Sequence, residues 1–138
     1  MSSRAPVPAE RFMAIAMAEL PPGWTYSFRK SLSGCCYTHE KRISAPKPVS
    51  REALYIWLHE CAHAHENHVG QCLLQEVRAE QWAHATMRKH GIAVSKSIIK
   101  AAKRNVGSAI VRALVHGEKH IAPEALAFAG MSKNLADC

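Results

Sequence analysis

The stretch Pro48-Val49-Ser50-Arg51-Glu52-Ala53-Leu54-Tyr55-Ile56-Trp57-Leu58-His59-Glu60-Cys61-Ala62-His63 decides how the rest of the chain is read. Pro48 and Ser50 signal a helix start, and neither Gly nor Pro interrupts the run from Arg51 to His63. Leu54, Trp57, Leu58 and Cys61 recur at helical spacing, so the helix has one apolar face; it is expected to continue to about Val69 and stop at Gly70. Within it, His59 and His63 lie one turn apart, with Cβ atoms roughly 5–6 Å from each other. Two imidazoles so placed can converge on one zinc ion at about 2.0–2.1 Å per bond. Glu60 is then left beside the metal's water, where it can serve as general base. Cys61 sits about 200° around the helix from His59 and is expected to face the core instead.

Two histidines hold zinc poorly; a catalytic site needs a third protein ligand and keeps a fourth position open. A histidine six residues beyond His63 with a glycine midway would satisfy one class of zinc peptidase, but Val69 and Glu66 occupy those places. His68 is out of register and points to the opposite side of the helix, and Glu66, one turn further along, suits solvent or contacts behind the ligands. Glu76 opens the next helical stretch, Gln71 to Gly91, which a turn at Gly70 can fold back against the first. Glu80 follows one turn later on the same face, where a carboxylate can accept the second N–H of a ligating histidine and fix its aim. His84, another turn along, competes with Glu76 as third ligand.

These residues resemble a family. His59-Glu60-Cys61-Ala62-His63 followed by Glu76-Val77-Arg78-Ala79-Glu80-Gln81-Trp82-Ala83 is similar to the minimal gluzincin metallopeptidases, especially the ImmA/IrrE-type proteins common in phages, mobile elements and bacterial stress regulation. The likeness covers roughly Trp24 to Gly91. It implies a zincin-like domain, Zn2+ held by His59, His63 and Glu76, Glu60 as catalytic base, Glu80 behind the ligands, and hydrolysis of a peptide or protein substrate such as a regulator. Glu80 stands where the family has a shorter Asp or Asn, and the gap between His63 and Glu76 is short for the family.

Around this centre, Pro8 to Leu20 reads as a first helix stopped by Pro21-Pro22-Gly23. Trp24 to Phe28 alternates large apolar with small polar residues, Ser31 to Gly34 supplies a turn, and Cys35 to His39 and Arg42 to Ala45 read as further short strands. The expectation is a small antiparallel sheet. Beyond Gly91, Ser95 caps one helix to about Asn105, Ser108 to Val115 forms another ended by Gly117, and Pro123 opens a last one from Glu124 to Ala129. The chain is thus read as one α+β domain, 1–138, dominated by helix: an N-terminal helix (1–20), the sheet (24–45), the metal-binding helix pair (50–91) and basic C-terminal helices (92–138).

Of 138 residues, 18 are Lys or Arg against 11 Asp or Glu, giving a net charge of +7. The excess lies mainly in Lys96, Lys100, Lys103, Arg104, Arg112 and Lys119, a pattern compatible with a solvated face, an acidic protein or nucleic acid. Five cysteines, among them the vicinal pair Cys35-Cys36, form no disulfide framework and match no zinc knuckle. The start Met1 to Pro6 lacks the apolar core of a signal peptide and no apolar run is long enough to cross a bilayer, so cytoplasmic residence is expected.

Peptide hydrolysis would place an extended substrate against a sheet edge within Cys35 to Ser44, and Tyr55, His116 and His120 are available by type as oxyanion donors. A rival reading is a DNA-binding or regulatory protein with a structural or vestigial zinc site. Its basis is Ser95 to Val115 read as two helices about a turn at Asn105-Val106-Gly107, a superficial helix-turn-helix.

Overall fold

The computed structural model describes residues 6–66 and 72–131. The elements run α1 (Ala9–Glu19), β1 (Thr25–Arg29), β2 (Cys35–Tyr37), β3 (Arg42–Pro46), α2 (Arg51–His65), α3 (Cys72–Lys89), α4 (Lys96–Val115) and α5 (Pro123–Ala129). This is an α+β arrangement of five helices and a small mixed sheet. None of the described helices is long and apolar enough to cross a membrane.

Ser50 caps α2, its side chain accepting from the Ala53 N–H at 3.1 Å. The apolar stripe of α2 forms the centre of the main core: Leu54, Trp57, Leu58 and Cys61 pack with Ile43 and Ala45 of β3, Phe12 and Ile15 of α1, and Ala83 and Met87 of α3. Trp57, with no exposed surface, also donates its indole N–H to the Ala16 carbonyl at 2.9 Å, tying α2 to α1. The helix ends earlier than expected, at His65, with the Glu66 N–H closing on the Ala62 carbonyl. The expected placements of His68, Val69 and the turn at Gly70 lie outside the described residues.

The sheet differs from the expected antiparallel one. Its order is β1-β3-β2; β2 pairs with β3 antiparallel, but β1 runs parallel to β3 on its other side, in the register Tyr26↔Ile43 and Phe28↔Ala45. The link Lys30 to Gly34 therefore crosses the C-terminal end of β3 instead of making a hairpin turn. A guanidinium holds this order: Arg29 on β1 donates to Ser44 Oγ on β3 (2.8 Å) and to Tyr37 Oη on β2 (3.3 Å). It also reaches Ser33 Oγ in the link (3.2 Å). Tyr26 and Phe28, on the opposite face, pack on Trp57 with ring centroids 5.3 and 6.1 Å away.

The second difference is α4, one helix from Lys96 to Val115 with Gly107 inside it and no turn at Asn105-Val106-Gly107. Ile98, Ala102, Val106 and Ile110 are buried at intervals of four along its length. Val106 and Ile110 close a second core with Val77, Ile121, Ala125 and Leu126. A continuous apolar stripe of this kind outweighs the roughly 1 kcal/mol a glycine costs in a helix interior. The two-helix unit suggested for DNA reading is therefore not formed.

A Cβ added at Gly107 would meet only Met131 Sδ at 3.8 Å and Ala129 Cβ at 4.0 Å, ordinary contacts. Gly107→Ala should accordingly raise stability by up to about 1 kcal/mol. Denaturant unfolding checks this, and a loss of stability would contradict an unbroken α4.

Candidate metal centre

His59 and His63 project from one face of α2 toward the first turns of α3, where Glu76 stands. Glu76 Oε2 lies 3.2 Å from His59 Nε2 and its Oε1 2.9 Å from His63 Nε2. The two imidazole Nε2 atoms are themselves 3.2 Å apart. A tetrahedral ion with bonds of about 2.0–2.1 Å spaces its donors about 3.3 Å from one another. The triangle of two nitrogens and a carboxylate thus has the edges a zinc-sized ion requires, and its donor types are those zinc takes. Glu60 belongs to the same cluster: His59, Glu60 and His63 offer ligand atoms all within 4.8 Å of one another.

Behind His59, its Nδ1 is enclosed and stands 2.8 Å from Glu80 Oε1. The approach is a charge contact off the axis of a linear hydrogen bond, and that nitrogen has no aligned partner among the described residues. Glu80 is held in turn by Tyr55, whose hydroxyl donates to Glu80 Oε2 at 2.7 Å and to the Glu80 carbonyl at 3.0 Å. Burial, with the Glu80 charge beside it, pushes the Tyr55 pKa far up, so the phenol remains a donor. That commitment removes Tyr55 from the oxyanion candidates. His116 and His120 do line the cleft over the site, whereas His84 is not among its lining residues.

Glu60 is buried against the link between β1 and β2. A Cβ at Gly34 would fall 2.7 Å from Glu60 Oε2 and 2.8 Å from its Cγ, so only glycine leaves the carboxylate where it is. Burial raises the Glu60 pKa; the charges of His59, His63 and Arg29 pull it back in part, while Glu76 adds to the rise. A carboxyl group so held takes up a proton more readily than a free one. Neither this contact nor the sheet's role in it was legible from residue spacing, because Gly34 is distant in sequence and read only as a turn.

Among the described residues no thiol belongs to the His59, Glu60 and His63 cluster. Cys61 is buried in the core and its pKa is pushed far up by burial. Cys36, beside Glu60, is pushed up to about 11 by burial and then by the Glu60 charge. Cys35, Cys36, Cys61 and Cys72 are all free.

The site opens into a cleft of about 1190 Å³. One wall is α2 and α3 with the ligand set; the β2 edge at Cys35 and Cys36 forms another; Asn105, Ser108, Arg112 and His116 of α4 and its C-cap contribute a third. No family model, curated protein or solved structure matches the chain.

The imidazoles and carboxylates of the cluster pair with one another. Burial opposes the charged form of His59, but Glu76 and Glu80 outweigh it and hold its pKa up at about 10. Burial likewise opposes the Glu76 carboxylate, yet the two imidazoles hold its pKa well below the ordinary range. The His59 contribution to stability is complete below the unfolded value, about 6.5, and is lost as pH rises through about 10. That of Glu76 is present above about 4.5 and is lost as pH falls toward its depressed value. Chelator-treated protein should therefore show a Tm that declines as pH rises from about 6.5 to about 10, a decline that Glu76→Gln weakens. A flat Tm over that window would contradict the pairing.

Proposed function

We propose that the protein is a zinc-dependent metallopeptidase of the minimal gluzincin kind, with a zincin-like helix pair behind a small sheet. The observation that carries this reading is the convergence of His59, His63 and Glu76 on one point beside a buried Glu60, at the floor of a cleft with a sheet edge. His59, His63 and Glu76 would hold a zinc ion, which would supply a Lewis acid and activate a water as nucleophile. Glu60 would take a proton from the attacking water and pass it to the departing amine. Glu80 keeps His59 aimed through Nδ1, and Tyr55 keeps Glu80 in place. The β2 edge pairs with β3 on one side only; its outer side is suited to take an extended peptide through main-chain hydrogen bonds.

A structural zinc site would be closed by four protein ligands. Glu60 is near enough to act as a fourth, so its role is the point to test. Elemental analysis of purified protein should find zinc, lost in Glu76→Ala and retained in Glu60→Gln. Retention of zinc with loss of casein cleavage in Glu60→Gln identifies a base; loss of zinc from that variant identifies a ligand and overturns the peptidase reading. Glu80→Gln should weaken zinc binding by about 10–100-fold in a chelator competition.

Gly34→Ala gives an independent check. The clash is with the Glu60 side chain from Cγ to Oε2 and not with backbone, so the fold and the zinc should survive while the Glu60 carboxylate is displaced. Casein cleavage should fall by about a hundredfold, the loss expected for a misplacement near 1 Å. Unchanged cleavage would show that the Glu60 position does not matter to the reaction.

A further inference from the structure

The α4 wall of the cleft carries a polar stripe at helical spacing, Asn105, Ser108, Arg112 and His116, opposite in character to the buried stripe of the same helix. Residues separated by three or four positions share one face, so these side chains address the cleft together. The sequence of α4 contains five cationic residues and no Asp or Glu. Among the cations only Arg112 lines the cleft. Its guanidinium has no hydrogen bond or ion pair among the described residues.

The carboxylates of the cleft do not neutralise it. Glu76 and Glu80 are spent on the imidazoles, Glu60 is buried beneath the sheet link, and Glu118, the remaining acid of the lining, makes no ion pair with it. Arginine is always protonated in proteins and presents a planar fork of donors that fits a carboxylate with two parallel bonds. The cleft therefore holds one solvent-exposed fixed cation without a protein partner among the described residues, on the wall not occupied by the metal ligands and flanked by an amide, a hydroxyl and an imidazole.

We propose that Arg112 anchors a carboxylate of the peptide substrate, making carboxylate-bearing segments the preferred substrates; this rests on the peptidase reading above. The carboxylate belongs either to an acidic side chain near the scissile bond or to the free C-terminus of the peptide. Both present the same group to the same fork. Asn105 and Ser108 are positioned to contact the main chain or flanking groups of the segment so held.

The test uses zinc-loaded Glu60→Gln protein, so that a peptide is bound without being cut, and three fluorescein-labelled peptides of otherwise identical Ala/Leu sequence. One carries a central Glu and an amidated C-terminus, one a central Gln and an amidated C-terminus, and one a central Gln and a free C-terminus. Fluorescence anisotropy should show a carboxylate-bearing peptide bound at least about tenfold more tightly than the Gln amide. The stronger of the two identifies the source of the carboxylate. Arg112→Gln should erase the preference, Arg112→Lys should restore part of it, since charge returns without the fork, and Lys119→Gln, off the cleft, should leave it intact. Equal binding of the three peptides, or no binding of any, overturns the proposal. So does a preference that survives Arg112→Gln, as it would if the metal captured the carboxylate. The peptidase reading fails separately, by absence of casein cleavage in zinc-loaded wild-type protein.

Discussion

Two carboxylates on α3 facing two imidazoles on α2 set the terms for everything around them. Burying such groups is costly unless each charge is met. Glu76 meets both imidazoles and Glu80 meets the far side of His59. The proton on His59 is the positive charge those carboxylates face, which is why the affinity of His59 for it is high. The side chains of the cluster are thus gathered by the fold itself.

The rest of the structure serves to place groups around that pair. Trp57 locks α2 to α1 and carries the sheet on its other side. The sheet then brings the Gly34 backbone down onto Glu60, fixing the one carboxylate of the cluster that is not paired with histidine. The buried stripe of α4 joins α3 and α5 in a second core and turns its polar stripe toward the cleft. The cleft is therefore acidic at its floor and cationic on one wall.

Much of this was readable in the chain. The capping serines Ser50 and Ser95, the prolines at 8 and 123 and the periodic apolar residues placed the helix starts, and the helix ends other than that of α4, within a few positions of those observed. Glu76 and Glu80 were expected opposite the histidines, Glu76 ahead of His84 through the motif it resembles, and both carboxylates do stand beside the imidazoles. Strand order was not readable: local alternation marks strands but says nothing of partners, and the bonds of Arg29 that hold the order join side chains of three different strands. Gly107 misled for a related reason. A glycine after Asn105 is a local turn signal, and only the tertiary burial of Val106 and Ile110 overrides it. The α4 wall of the cleft was invisible for the same cause, since its nearness to His59 depends on how α3 and α4 pack.

Arg29 does two jobs with one side chain: it stitches β1, β3 and β2 together, and its charge draws down the proton affinity of Glu60. Sheet order and the acidity of Glu60 are consequently coupled at one position: a substitution of Arg29 that loosens the three strands also removes one of the charges that lower the Glu60 pKa.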